Sequence, residues 1–163
     1  MILLVVLAAA LLISLLFGGS LQALGQVDLK YGIFVLLAIG VQLLVFSSWW
    51  QAMVERALWA ELLYLLSLLL LFVAVWFNRR VPGFAPLGLG LLLNTLVIAA
   101  NGGRMPVSLQ ALRVAGIAAS RAEFETLRVT NSILVGDETT LGFLGDIFAV
   151  PDIVPLSNVF SIG

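Results

Sequence analysis

Four runs of about 20 mostly apolar residues fill the first 100 positions of this chain, and they constrain its fold more than any other feature. The runs cover about residues 1–24, 31–50, 57–77 and 81–100. A helix needs roughly 20 apolar residues to cross the hydrocarbon core of a bilayer, where it satisfies its own backbone hydrogen bonds. With 62% hydrophobic and 10% charged residues, the 163-residue chain has more apolar surface than one water-soluble core can bury. The runs predict an all-α membrane bundle of about four transmembrane helices.

The first run has a second interpretation, because secretory signal peptides are also apolar and N-terminal. The run lacks the basic segment that opens a signal peptide, and Gly18-Gly19-Ser20 matches a cleavage site only loosely. We therefore interpret residues 1–24 as a transmembrane span and keep cleavage as the alternative.

The composition changes sharply after position 100. Four arginines, six acidic residues and three of the five prolines lie in residues 101–163, which we predict to be extramembrane or interfacial. Ser108 is a candidate cap for a short helix that would lie flat on the membrane, with Leu109, Leu112 and Ile117 on its apolar face. Ser120 and Glu123 have the spacing of a capping box, which predicts a second short helix to about Arg128. Residues 139–148 are apolar but rich in glycine, so we expect a re-entrant or surface segment there.

Several classes of chemistry are excluded by residues that the chain lacks. It contains no cysteine and no histidine, so disulfides, thiolate-held metal clusters and histidine ligation of haem are ruled out. Its formal net charge of −1 gives no field that would recruit nucleic acid. We expect no ligated cofactor and no metal, although tryptophan and phenylalanine side chains could contact lipid or an apolar pigment.

Glu61 is the one ionisable side chain inside the predicted spans. A charge at the centre of the bilayer costs about 2.5–3.5 kcal/mol on insertion scales, so such a residue is a functional candidate. The structural interpretation is that Glu61 lies near the end of the third span and reaches the interface, where it pairs with Arg56 or lipid headgroups. The functional interpretation is an ion or proton site.

Two amides lie near the middle of predicted spans, Gln42 in the second and Asn94 in the fourth. Because an amide in hydrocarbon is costly without a partner, we predict that each hydrogen-bonds to a neighbouring helix. Glycines on the second and fourth spans should allow close packing, within the chain or against another subunit: Gly32, Gly40, Gly88 and Gly90.

The fourth span is followed by Asn101-Gly102-Gly103, residues that tolerate a positive φ and leave backbone amides exposed. Such a turn either reverses the chain or binds an anion, and reversal is the commoner use. Arg104 follows directly, and we expect it to pair with Asp146 or with a lipid phosphate.

Three segments resemble a family of small bacterial membrane proteins known as domain of unknown function number 5317. They are the stretch from Asn-Arg-Arg at 78–80 through 93–107, Leu-Gly-Asp-Ile-Phe at 144–148 and Asn-Val-Phe-Ser-Ile-Gly at 158–163. The most specific element is Asn-Gly-Gly-Arg-Met-Pro-Val at 101–107. The resemblance covers roughly the whole chain and implies a multi-pass protein of the bacterial cytoplasmic membrane. The family pattern usually continues into an aspartate and one more hydrophobic helix, whereas this sequence ends at Gly163. The resemblance implies no activity.

Three functions remain open on this reading. The first is a non-catalytic integral membrane subunit that packs against and stabilises a larger membrane protein complex of respiratory or photosynthetic type, in contact with membrane lipids. The second is a small oligomeric transporter or channel centred on Glu61, Gln42 and Asn94. The third is an interfacial lipid-processing enzyme that uses acidic residues of the C-terminal segment as metal ligands or acid–base groups, namely Asp137, Glu138, Asp146 and Asp152.

Overall fold

In the computed structural model the described residues are 2–47, 50, 57–127, 131–152 and 157–163. They form a mostly helical protein with a few three-residue strands. The helices whose bounds are described before position 101 are α1 Ile2–Leu16, α2 Leu21–Gly25, α3 Gly32–Val45, α4 Ala57–Phe77 and α5 Phe84–Ala100. The remainder contains β1 Met105–Val107, α6 Leu109–Val114, α7 Arg121–Thr126, β2 Ser132–Leu134, a 3₁₀ turn Gly142–Leu144, β3 Phe148–Val150 and β4 Asn158–Phe160.

The helices follow the predicted spans to different degrees. The predicted third span coincides with α4, and the predicted fourth span begins three residues before α5. The second span was expected to reach Trp50, but α3 ends at Val45, and Ser48 and Trp49 lie outside the described residues. Of the described helices, the stretch Leu58–Phe77 of α4 alone is both long and apolar enough to cross a membrane, and α1, α3 and α5 are apolar but shorter.

The predicted first span is not one helix. The chain leaves α1 after Leu16, and Gly18 takes a left-handed conformation with φ +86° before α2 begins at Leu21. A positive φ of this kind interrupts a right-handed helix and is easily adopted by glycine, which has no β-carbon. The Gly18-Gly19-Ser20 stretch is therefore a break between two helices.

Helix α4 packs against both α3 and α5. Its Leu68 forms a buried cluster with Val97 and Ile98 of α5. The outer sides of the same helices are apolar and exposed, as Leu62 and Leu69 of α4 illustrate. The interior of this part is therefore small, and most of its leucine surface points outward.

Residues 104–163, called here the C-terminal unit, have a small core of their own. Strands β1 and β2 pair in parallel, and β3 and β4 pair in antiparallel. Val107, Leu112, Ala118 and Leu134 are buried together, and Leu109 and Ile117 pack against them. The sequence analysis expected the apolar face of α6 to lie against the membrane, but in the structure Leu112 is buried in this core and Leu109 and Ile117 pack against it.

The predicted caps of the two short helices are present. Ser108 precedes α6, and its hydroxyl accepts a hydrogen bond from the Ala111 N–H at 3.4 Å. Ser120 precedes α7 and accepts from the Glu123 N–H at 3.2 Å, while the Glu123 carboxylate accepts from the Ala119 N–H at 2.7 Å. This is a capping box in which the N–H that donates to Glu123 is that of Ala119, one residue before the cap residue Ser120. Helix α7 ends at Thr126, and the predicted end at Arg128 lies outside the described residues.

Candidate functional site

The C-terminal unit meets the helices at the C-terminal end of α5, a region called here the junction (residues 61, 64, 101–106 and 140–146). Gly102 and Gly103 have φ values of +63° and +77°, and the Gly103 N–H donates to the Ile98 carbonyl at 2.9 Å. This six-to-one hydrogen bond after a left-handed glycine is a Schellman motif, which ends a helix and satisfies its last carbonyls. The turn therefore reverses the chain, as its residues predicted.

Gly103 lies directly on Glu61 of α4. A β-carbon built at Gly103 would lie 2.7 Å from the Cγ and 2.8 Å from the Cβ of Glu61. The Glu61 side chain is half-buried and forms no hydrogen bond or ion pair with any described residue. Its predicted partner Arg56 lies outside the described residues. Glu61 thus packs its stem against the turn that ends α5.

Asn101 ties this turn to the loop around Thr140. Its Nδ2 donates to the carbonyls of Val97 and Thr140, each at 2.7 Å. Its Oδ1 accepts from the Thr140 N–H at 3.0 Å. One amide thereby pairs with both backbone groups of Thr140, much as a neighbouring strand would.

The next contact involves Gly145 and Pro106. The Asp146 N–H donates to the Pro106 carbonyl at 2.8 Å, and the Ser108 N–H donates to the Asp146 carbonyl at 3.0 Å. A β-carbon at Gly145 would overlap the Pro106 carbonyl oxygen. Leu144 meanwhile packs against the buried cluster between α4 and α5. Residues 139–148, expected to be re-entrant or on the surface, therefore form a turn that packs on the end of the bundle.

The Asp146 carboxyl group is half-buried at this junction. Burial raises the pKa of Asp146 from 3.8 to about 6, and its charge interacts with the hydroxyl of Tyr64 on α4. The predicted ion pair with Arg104 was wrong, because Arg104 is exposed and joins no described acidic side chain. The backbone of Asp146, rather than its charge, holds the junction together.

The raised pKa of Asp146 predicts a pH-dependent stability. Between about pH 4 and pH 6 the folded protein keeps a proton on Asp146 that the unfolded chain has lost, so its stability falls as pH rises through this window. We expect Asp146→Asn to remove this fall, because an amide has no charge to desolvate. Thermal unfolding in mild detergent at pH 4.5 and pH 7 measures it, with Asp137→Asn on an exposed loop as the control. An undiminished pH dependence in Asp146→Asn would contradict the assignment.

The two mid-span amides have partners, but of different kinds. Gln42 donates from Nε2 to the hydroxyl of Ser67, a fully buried residue of α4, at 3.0 Å. Asn94 accepts at Oδ1 from the hydroxyl of Ser161 at 2.9 Å. Gln42 therefore joins two helices as predicted, whereas Asn94 joins α5 to the C-terminal unit.

Asn78 is a structural residue that the sequence analysis did not single out. It is buried just after α4, where its Nδ2 donates to the Lys30 carbonyl at 2.8 Å and its Oδ1 accepts from the Lys30 N–H at 2.9 Å. The same Nδ2 donates to the Ala74 carbonyl at 2.7 Å. The available signal was an asparagine at the end of an apolar run, where a free backbone carbonyl needs a donor.

The glycines predicted to permit close packing divide into two pairs. A β-carbon at Gly88 would lie 3.0 Å from Cγ1 of Val75 on α4, and one at Gly90 would lie 2.9 Å from the carbonyl carbon of Gly163. Gly32 and Gly40 on α3 have no such neighbour within 4 Å among the described residues. Of these four glycines, the two on α5 therefore lie close to another described part of the chain, and the two on α3 do not.

A groove of about 320 Å³ lies between α6 and β3 in the C-terminal unit. Its walls include Ser108, Gln110, Val114 and Phe148, and none of the described side chains that line it is ionisable. The described residues also contain no group of three or more acidic side chains placed to hold a metal ion.

Comparison with known proteins gives a family and no activity. A family model described as "Family of unknown function (DUF5317)" matches residues 26–163, which include everything from the end of α2 onward. An uncharacterized protein of Thermotoga maritima is 43% identical over 49 residues, a match that spans 30% of this chain and 29% of that relative. No solved structure has significant similarity to the chain.

Proposed function

Since the chain belongs to the family of unknown function DUF5317, we propose from its own structure that it is a multi-pass protein of the bacterial cytoplasmic membrane. We propose further that it is a non-catalytic subunit that packs against and stabilises a larger membrane protein complex of respiratory or photosynthetic type.

The outward-facing apolar surface supports the membrane part of the proposal. Helix α4 has 21 residues, a length of about 31 Å that matches the hydrocarbon core. Helices α3 and α5 have 14 and 17 residues, about 21 and 25 Å, and shorter helices of this kind are accommodated by local thinning of the bilayer or by flanking residues. In α1, the described side chains from Leu7 to Leu16 are exposed except for half-buried Leu11. Such helices suit lipid and not water.

The observation that carries the accessory-subunit proposal is that amide side chains in the helices and directly after them bond within the chain. Gln42 is bonded to Ser67, and Asn94 is bonded to Ser161. The side-chain amides of Asn78 and Asn101 are each hydrogen-bonded to the backbone of a residue distant in the sequence. Because these amides hold the chain together, what the helices offer to their surroundings is van der Waals surface, and membrane helices associate largely through such contacts.

The alternatives have less support. A transporter or channel needs polar groups that line a pathway, and of the three expected at its centre Glu61 alone lacks a hydrogen bond within the described residues. A lipid-processing enzyme would need its carboxylates gathered, and among the described residues no such group occurs. Lipid or apolar pigment contact stays part of the proposal, with Trp59 and Trp76 exposed on α4.

The proposal predicts stoichiometric co-purification with larger membrane subunits. The tagged protein would be extracted from its own cells in mild detergent and examined by native gel and quantitative mass spectrometry. An accessory subunit should migrate with the complex, and Glu61→Gln should leave that migration unchanged because Glu61 binds no ion in this role. Recovery of the chain alone as a small oligomer, with ion flux into vesicles that Glu61→Gln abolishes, would contradict the proposal and favour the transporter.

A further inference from the structure

Three basic residues lie together at the end of α4 away from the junction, and they are called here the basic end (Lys30, Arg79 and Arg80). Arg79 and Arg80 come shortly after α4, and Lys30 lies two residues before α3 begins at Gly32. The side chain of Asn78 joins the two segments, because it donates to the Lys30 carbonyl at 2.8 Å and accepts from the Lys30 N–H at 2.9 Å. The basic residues are therefore neighbours in the folded chain, although they are distant in the sequence.

The charge of the basic end is not neutralised by any described side chain. Its three basic side chains are exposed, and none forms an ion pair with a described residue. The sequence has no acidic residue between Glu61 and Glu123, so the two arginines have no acidic neighbour along the chain. Asp28 is the acidic residue nearest in sequence to Lys30, and it too is exposed and unpaired among the described residues. Three cations and one carboxylate leave a net charge of +2.

Aromatic rings lie beside these cations. The Arg79 guanidinium is 4.7 Å from the ring centroid of Trp76, and its Nη1 donates to the Trp76 carbonyl at 3.0 Å. Tyr31 follows Lys30 and packs on Phe77, with 4.6 Å between ring centroids. The rings of Trp76 and Tyr31 are each about half exposed. The cation–π contact and the helix C-terminus hold Arg79 in place and leave most of its five N–H donors free.

The basic end lies at the level of the lipid headgroups if α4 crosses the bilayer, as the proposed function requires. The 21 residues of α4 match the hydrocarbon core in length, so the residues after Phe77 enter the headgroup region. Tryptophan and tyrosine are enriched at this level. A lysine or arginine there raises the affinity for an anionic lipid surface about fivefold. Guanidinium and ammonium groups both donate to phosphate oxygens.

We propose that the basic end binds the phosphate of an anionic phospholipid headgroup through the side chains of Lys30, Arg79 and Arg80. This inference rests on the proposed function, since it requires the membrane position of α4, and it adds a lipid site to the packing role. An acidic segment of a partner protein would use the same charges. A lipid fits better, because its acyl chains suit the apolar surface of α4 and the half-exposed rings of Trp76 and Tyr31.

Titration of the full tagged chain with defined lipids tests this site. The chain would be delipidated in detergent and titrated with phosphatidylglycerol or with phosphatidylcholine, and bound lipid would be counted by native mass spectrometry. A net charge of +2 should give a preference for phosphatidylglycerol of about 25-fold, with one molecule bound per chain. Lys30→Gln combined with Arg80→Gln should abolish this preference. Neither side chain bonds to a described residue, so the fold should be unaffected.

A matched pair of single changes distinguishes a site from a diffuse charge effect. Arg80→Gln should weaken phosphatidylglycerol binding about fivefold, whereas Arg121→Gln, an exposed position on α7, should not change it. Inorganic phosphate should displace no more lipid than chloride does at the same ionic strength. Greater displacement by phosphate would assign the cations to a soluble anion and overturn the inference.

Equal affinity of the unaltered chain for the two lipids, or an equal loss in both single variants, would also overturn the inference. So would loss of the large subunits, rather than of lipid, when Lys30 and Arg80 are replaced, because the cations would then bind a partner protein. The proposed function would stand in each of these cases if the unaltered chain still co-purified with large membrane subunits. Extraction of the chain from membranes by alkaline carbonate without detergent would refute the proposed membrane position, and the inference with it.

Discussion

Replacing Gly145 with alanine is expected to lower the free energy of unfolding of the C-terminal unit by about 3 kcal/mol, at the upper end of the usual overpacking costs. The added β-carbon would overlap the carbonyl oxygen of Pro106. Neither side can yield easily, since Pro106 is buried and its carbonyl accepts the Asp146 N–H at 2.8 Å. Relief of the clash therefore breaks the bridge between Val107 and Asp146.

Hydrogen exchange at the amides of Asp146 and Ser108 measures this loss directly, because both amides donate within the bridge. The matched control is Gly136→Ala in the same unit, where a β-carbon meets no described atom within 4 Å. That change should stay within about 0.5 kcal/mol, the usual range for surface substitutions. Equal protection of the two amides in both variants would show that Gly145 is not held against Pro106.

The helices were predictable where hydrophobic length and polar breaks agree. Helix α4 ends at Phe77, directly before Asn78 and the arginines after it, as predicted, and its described part begins at Ala57, the predicted start of the third span. The first run has no charged residue before Asp28, and its glycines fit inside a run that long. The break at Gly18 depends on one left-handed residue, a conformation that composition does not reveal.

The two mid-span amides, Gln42 and Asn94, show how much of a polar residue's hydrogen bonding can be predicted from an apolar run. The need of Gln42 for a partner was predictable from the cost of burying an unpaired amide, and the partner is indeed on a neighbouring helix. The partner of Asn94 was not predictable, because Ser161 is 67 residues away in a segment whose composition indicates an extramembrane location. The local sequence predicts that a buried amide needs a hydrogen-bond partner, but the tertiary structure determines which group is that partner.

The ion pair predicted at the junction was wrong because opposite charges were given more weight than close packing of the backbone. Arg104 and Asp146 are opposite charges on segments expected to meet, which favoured an ion pair. In the structure the segments do meet, but through the backbone of Asp146 and the missing side chain of Gly145. Gly145 has no room for a side chain because the carbonyl of Pro106, far away in the sequence, lies against it, and the residues around Gly145 give no sign of this contact. Gly102 differs, because it follows a helix and has the positive φ typical of a helix end.

Gly103→Ala is expected to lower the free energy of unfolding by about 3 kcal/mol, the sum of left-handed strain and overpacking. Its φ is +77°, and the new β-carbon would lie 2.7–2.8 Å from the Cγ and Cβ of Glu61. The neighbouring Gly102 separates the two effects, because its φ is +63° and its β-carbon would meet no described atom within 4 Å. Gly102→Ala should therefore cost about 1 kcal/mol, the strain alone. Unfolding in mixed detergent followed by tryptophan fluorescence compares the variants.

The same substitution decides what Glu61 contributes. If Glu61 is a packing residue, Glu61→Ala removes the Cγ and should recover about 1 kcal/mol of the Gly103→Ala loss, a coupling of the size found between residues in contact. Gly102→Ala should show no such coupling, because Gly102 does not touch Glu61. Equal losses at the two glycines, or no recovery by Glu61→Ala, would mean that the α5 turn does not rest on this side chain. Glu61 would then be free for the ion or proton site that its place in the third span first suggested.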